Sequence, residues 1–252
     1  MNSVAAVTRM AVMDLEIVTL AERPQPWDVF WDMETSWPEF MKHDPIGNSY
    51  YSCIEEYFME CVLIAFDPSG RIVAKAFSAP FTLPDAGWDF ALRSAQLTRI
   101  WGDTPNAITA AEIAIVPELQ GTGLSGRMVA ALRDNAGRLG FPELLAPVRP
   151  NGKTDPHEPM AAYAFRTRDD GLPVDPWLRV HVRAGGRIDR VAPRSMCIPG
   201  TVEEWREWTG LPFDTTGPVV VPGALAPVMC DAEHGTATYV EPNVWVRHPT
   251  GI

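Results

Sequence analysis

The chain has 252 residues, 46% of them hydrophobic, which suits one large packed domain or a smaller one with a substantial extension. Its 32 acidic against 21 basic residues, a formal charge of −11, argue against a general nucleic-acid binder. No run approaches the ~18 apolar residues of a membrane span, and residues 1–13 lack the basic-then-apolar pattern of an export signal, so they read as a loose arm.

Residues 15–20 (LEIVTL) alternate and are rich in β-branched side chains, which predicts a strand. Residues 25–40 carry Trp27, Phe30, Trp31, Met33, Trp37 and Phe40 at partly helical spacing, interrupted by Pro38. Residues 48–61 set Tyr51, Ile54, Tyr57 and Phe58 on one helical face. Apolar residues 62–66, the turn at 67–70 and residues 71–77 predict a hairpin. A strand is expected over 108–116, and a helix over 125–139 that stops at Gly140. A short strand follows at 144–148.

Beyond Pro150 the texture becomes polar and Pro-bearing. A helical turn is expected near 160–166. Residues 175–184 have an Asp cap, Pro in the first turn and a Gly-Gly stop, and so predict a helix. Residues 188–192 read as a strand. Residues 196–252 hold two Trp-rich pieces, at 203–208 and 243–246, among many Pro and Gly. They are expected to be irregular and packed on the main body. Alternating strands and helices after an early meander predict an α/β fold, a mixed sheet covered by helices.

Cys53, Cys61, Cys197 and Cys230 form no C-x-x-C pair, so neither a zinc site nor a disulfide scaffold is expected. With no export signal read, reduced cysteines in a cytoplasmic protein are expected. Charge is uneven: residues 127–195 hold 12 Lys/Arg against 8 Asp/Glu. This segment is either a solvated face or a cationic surface for an anionic ligand or partner.

The informative run is V-P-E-L-Q-G-T-G-L-S over 116–125, where a strand ends, Pro117 breaks it, and a glycine loop enters a helix. Glycines let backbone N–H groups approach a ligand, and a helix N-terminus adds unpaired N–H groups and the positive end of its dipole. Together they suit a pyrophosphate. The loop is not a P-loop, lacking Gly-Lys-Ser/Thr, nor a dinucleotide fingerprint, since the third Gly is misplaced.

This run resembles the acyl-CoA loop of the GNAT superfamily of N-acyltransferases, whose pattern is Gln or Arg, two residues, Gly, one residue, then Gly or Ala. The matching positions are Gln120, Gly123 and Ser125, with a small Ser in the last place. The order of elements over about 15–148 also fits, so a GNAT-like mixed sheet is expected. The resemblance implies that the long strand diverges from the next and that a pantetheine arm lies in the gap. Ile115 and Val116 would line it. Gln120, Gly121, Thr122, Gly123, Leu124 and Ser125 would hold the pyrophosphate. It further implies a direct attack of an amine on a thioester, without covalent intermediate or metal.

The family ends its next helix with Tyr, three residues, then Gly. Here V-H-V-R-A-G over 180–185, reached after an insertion, puts His181 in that place. His181 is the candidate general acid or base and Glu112, on the long strand, a candidate base. His157 and Asp155 are candidates to touch acceptor. Cys197 is the least favoured nucleophile. Of Trp27, Trp31, Trp37, Tyr50, Tyr51 and Tyr57, most are expected in the core and one or two in an acceptor pocket.

The donor is expected to be acyl-CoA or an acyl-phosphopantetheine on an acidic carrier protein. Arg127, Arg133, Arg138, Arg166 and Arg168 could serve either. The acceptor is expected to be a small-molecule amine, with neither nucleic acid nor membrane as partner. A GNAT-shaped module without catalysis is the reading from another class. The expected division is an acyltransferase domain over 1–195 and an extension over 196–252.

Overall fold

The computed structural model describes residues 14–26, 29, 32–82 and 87–252. Strand β1 (Glu16–Thr19) leads to a 3-10 turn at Glu39–His43 and then helix α1 (Pro45–Tyr57). The Oδ1 of Asp44 accepts the Gly47 N–H at 2.5 Å and Pro45 supplies a preset first turn, so α1 starts three residues before the expected residue 48. The antiparallel hairpin β2 (Val62–Phe66) and β3 (Ile72–Phe81) follows, as expected. Helix α2 (Trp88–Trp101) was not expected. It precedes β4 (Ala107–Ile115), helix α3 (Leu124–Arg138) and β5 (Glu143–Val148). Trp27, Phe30 and Trp31 lie outside the described residues.

A helical turn, α4 (Met160–Tyr163), and helix α5 (Pro176–Arg183) come next; Asp175 caps α5 by accepting the Trp177 and Leu178 N–H groups at 2.9 Å each. Then follow β6 (Arg187–Thr201), helix α6 (Val202–Thr209), opened by a Thr201/Glu204 capping box, β7 (Gly217–Val219), β8 (Val228–Asp231) and β9 (Thr236–Pro249).

Nine strands form one sheet in the order β1-β2-β3-β4-β5-β9-β8-β7, with β6 paired to β9. The expectation of an irregular segment over 196–252 is therefore corrected. β9 is a central strand, with β6 along one edge, and β5 (at 244–249) and β8 (at 236–238) sharing the other. A boundary at residue 195 falls inside β6. The main core buries Phe77, Phe81, Leu92, Ile108, Leu124 and Met128 completely or nearly so. Among the described residues, no helix is long and apolar enough to cross a membrane.

Candidate active site

β4 and β5 run parallel but pair only at Ile108–Leu144 and Thr109–Leu145, and diverge beyond. The divergence begins at a bulge. On β3, Phe77 faces Glu112 while the next residue, Ser78, faces Ala110, leaving Ala111 unopposed. Such an extra residue bends and twists its strand. The Trp88 indole N–H donates to the Ala111 carbonyl at 2.8 Å, so the first residue of α2 holds the bulge in place. The opening is a cleft of about 1330 Å³ that runs between the two strands and the first helices.

One wall is backbone and glycine loop. Val116 lies off the cleft: its N–H donates to the Val73 carbonyl at 3.1 Å, on the β3 side. Alternation along the strand then turns the polar groups of Ile113 and Ile115 toward the gap. The Gln120 side-chain amide donates to the Ile115 carbonyl at 3.2 Å. Gln120, Gly121 and Ser125 line the cleft.

The backbone N–H of Gln120 is engaged by Pro117, so that group is not open to a ligand. Thr122 donates its hydroxyl to the Leu119 carbonyl, and Leu124 is fully buried in the core, so both support the loop. Gly121 and Gly123 have φ of 74° and 95°, the left-handed region that glycine tolerates. Beside both, the position of a missing Cβ meets only open space. The first turn of α3, residues 124–126, presents N–H groups without intrahelical partners.

The other wall carries the titratable groups. Glu112, one step past the bulge, accepts from the Trp37 indole at 2.8 Å and the Tyr51 hydroxyl at 2.7 Å. Tyr51 is itself set by an edge contact with Phe77 (ring centroids 5.0 Å apart) and a stack with Trp88 at 6.0 Å. Trp37 and Tyr51 thus line the cleft. Tyr50 packs against the core, and Tyr57 is exposed under the Arg99 guanidinium, 3.5 Å from its ring. Lys75, buried on β3 across from Ala114, also lines the cleft.

His181 lines the cleft from α5. It is buried, not a surface histidine, and its Nδ1 lies 2.9 Å from the His248 Nε2 on β9. Burial, then the neighbouring His248, pushes its pKa well below the usual imidazole value. Burial and Arg133 push His248 to about 4. Both rings are therefore neutral near pH 7, and His181 holds no spare proton to give as a general acid.

Other candidates stand apart. His157 and Asp155 are bonded to each other in the loop before α4, and neither reaches the cleft. Cys197 also lies off the cleft, its thiol pKa raised by burial and by Asp89. The five candidate arginines of the basic segment have internal partners. Arg133 bonds Asp134 and the Ala184 carbonyl, Arg138 bonds Asn135, Arg166 pairs with Glu158 and Arg168 with Asp170. Arg127 donates to the Leu15 carbonyl at 3.3 Å.

Among the cleft residues that sequence reasoning missed are Asp44, Lys75, Trp88 and Trp177. The Asp44-Pro45 pair is the same start signal that was legible at Asp175-Pro176.

A mixed sheet opened between two parallel strands, with a glycine loop and a helix N-terminus at one end of the gap, is the architecture of an acyltransferase. No family model matches the chain. Among known proteins, an arginine N-acetyltransferase of Aspergillus versicolor, avaD, is 31% identical over 268 aligned positions that cover 92% of each chain. Among solved structures, the loading GNATL domain of CurA from Lyngbya majuscula superposes with a TM-score of 0.58 at 18% identity, over 94% of this chain and 98% of that one. The GphF GNAT-like decarboxylase, solved with isobutyryl-CoA, superposes with a TM-score of 0.55 at 13% identity, over the same shares. Both share the fold. The chain belongs to the GNAT superfamily of N-acyltransferases.

Proposed function

We propose that this protein moves an acyl group from the pantetheine thioester of acyl-CoA to an amine of a small molecule, by direct attack. The observation that carries the reading is the pairing of a diverging β4–β5 gap with a buttressed carboxylate, Glu112, on the same strand. The polar backbone of Ile113 and Ile115 offers hydrogen bonds to an extended pantetheine arm. The loop at Gly121–Gly123 and the first turn of α3, with Ser125, suit its pyrophosphate. An N–H of β4 facing the gap stabilises the carbonyl oxygen as it gains charge.

Glu112 is assigned as the base. A carboxylate has roughly four acceptor sites, and Trp37 and Tyr51 occupy two, so it can still receive the proton of the attacking amine. The C–N bond forms, the C–S bond breaks, and the departing sulfur regains that proton. His181, neutral at the cleft wall, is assigned to accept a hydrogen bond from the acceptor rather than to protonate the sulfur. Since avaD is an arginine N-acetyltransferase, arginine is the first acceptor to try.

The test is calorimetry with acetyl-CoA, followed by turnover with arginine and a panel of primary amines. Micromolar binding is expected, abolished in Gly123→Trp. Glu112→Gln is expected to keep that affinity and to lose roughly 10²-fold or more in kcat. A folded protein that binds no acyl-CoA overturns the free-CoA reading and directs the search to an acyl carrier protein. Unchanged kcat in Glu112→Gln removes it as the base.

A further inference from the structure

The acceptor end of the cleft holds a carboxylate that the transfer chemistry does not use. Asp44 stands just before α1 and lines the cleft, yet only 3% of its surface is exposed. Its Oδ1 caps the helix through the Gly47 N–H. Its Oδ2 is buried and has no hydrogen-bond partner among the described residues. A second such group lies close behind: Asp89, in the first turn of α2, accepts the Cys197 N–H with Oδ2, while its Oδ1 is buried without a partner. Burial and the nearby Asp44 hold the Asp89 carboxyl up at about 7. Glu241, by contrast, is completely satisfied by Arg149, Tyr239 and Asn243. Buried carboxylate oxygens without partners are costly, and they persist where a ligand completes them.

The surroundings say which ligand. Asp44 lies on the same side of α1 as Tyr51, seven residues on, which is roughly 10 Å along a helix. Tyr51 reaches Glu112. The wall between is aromatic, with Trp37, Tyr51 and Trp88 lining it. A carboxylate backed by aromatic faces suits a guanidinium or ammonium, which the rings attract and the carboxylate neutralises.

We infer that Asp44 is the acceptor-specificity residue of this enzyme: it takes the second, non-reacting cation of a dibasic acceptor whose reacting amine stands at Glu112. The inference rests on the reading of the cleft as an amine-acylating site with Glu112 as base. It places the two basic groups of the acceptor several bonds apart, on the scale of a guanidinium and an α-amine joined by a short alkyl chain.

The experiment compares arginine with citrulline, the same chain with a neutral urea, in wild type and in Asp44→Asn, which keeps a cap at α1. Binding of each is measured by calorimetry with CoA present, and turnover with acetyl-CoA. Wild type is expected to prefer arginine by about tenfold or more in affinity and in kcat/KM. Asp44→Asn is expected to lose that preference, with acetyl-CoA affinity, citrulline binding and thermal midpoint not lowered. Equal loss for both acceptors, or a preference that survives the substitution, overturns the inference. Because binding is read without turnover, a protein that fails to transfer acyl groups still tests Asp44. A protein that acylates monoamines and citrulline as well as arginine refutes the dibasic site while leaving the transferase reading intact.

Discussion

His181 and His248 meet through one hydrogen bond, 2.9 Å long, and the Nδ1 of His248 behind it has no partner among the described residues. The pair is stable only while both rings are neutral. Their folded pKa values lie below the ordinary 6.5, so below that pH the unfolded chain binds protons that the folded one refuses. Their contribution is thus complete above about pH 6.5 and declines as pH falls toward about 4. Asp89 acts with the opposite sign over much of that range, since its carboxyl is raised to about 7 and folding favours its protonated form. The histidines are therefore isolated by comparison. The thermal midpoint of His248→Gln is expected to fall less than that of wild type between pH 6.5 and 4.5, by roughly 5 °C. Parallel curves would remove the pair as the acid-sensitive element. Glu112 and His181 were legible as candidates because each belongs to a recognisable element. Their partners were not, because Tyr51 is 61 residues from Glu112 and His248 is 67 from His181, and only tertiary structure joins them.

At the scale of elements, β4, its glycine loop and α3 could be read closely, because each carries its own local signal: a β-rich run, Pro117, left-handed glycines and an apolar helical stripe. Helix α2 was not seen, for a physical reason. Phe90, Leu97, Ile100 and Trp101 are apolar and exposed, so the stripe that faces the core at Ala91, Leu92 and Ala95 does not stand out from the opposite face. β9 was hidden by Pro242, which argues against a central strand. The structure puts Pro242 between the β8 pairing, which stops at Thr238, and the β5 pairing, which starts at Val244, and opposite a break in the β6 register. No ladder hydrogen bond is demanded there. The start of α2 makes its own prediction. Gly87 has φ of 142° and a Cβ on it would stand 2.4 Å from the Ser195 Cα, against backbone that cannot yield. Gly87→Ala is expected to cost about 2 kcal/mol or more in denaturant unfolding. It also displaces Trp88, whose N–H bonds Ser195 and whose indole holds the β4 bulge, so turnover should drop with it. A variant as stable as wild type would mean that this start is not under constraint.

For the whole molecule, residues 196–252 are part of the body of the sheet. β9 lies between β5 and β6, and Trp205, Phe213 and Tyr239 are completely or almost completely buried. A chain ending at residue 195 would keep the loop and Glu112 but lose the strand on which β5 leans, and with it His248. We expect it to be unfolded by circular dichroism and unable to bind acyl-CoA, because β5, which borders the gap opposite β4, is paired along its whole length to β9. A folded, donor-binding fragment would restore the division at 195 expected from the sequence. That expectation arose from composition, since Pro and Gly scattered among Trp residues read as loop when no neighbouring strand is in view.

The two walls of the cleft come from different stretches of chain. In the proposed reaction the donor side is β4 through the first turn of α3, and the acceptor side is residues 37–51 with Trp88. The bonds from Tyr51 and Trp37 to Glu112, and from the Trp88 indole to the Ala111 carbonyl, stitch them together. The acceptor side therefore behaves as an exchangeable cassette. Evolution, or an engineer, can rewrite the choice of nucleophile within residues 37–51, provided a phenol and an indole still reach Glu112 and Trp88 still holds Ala111, while the proposed thioester continues to be delivered from the other side.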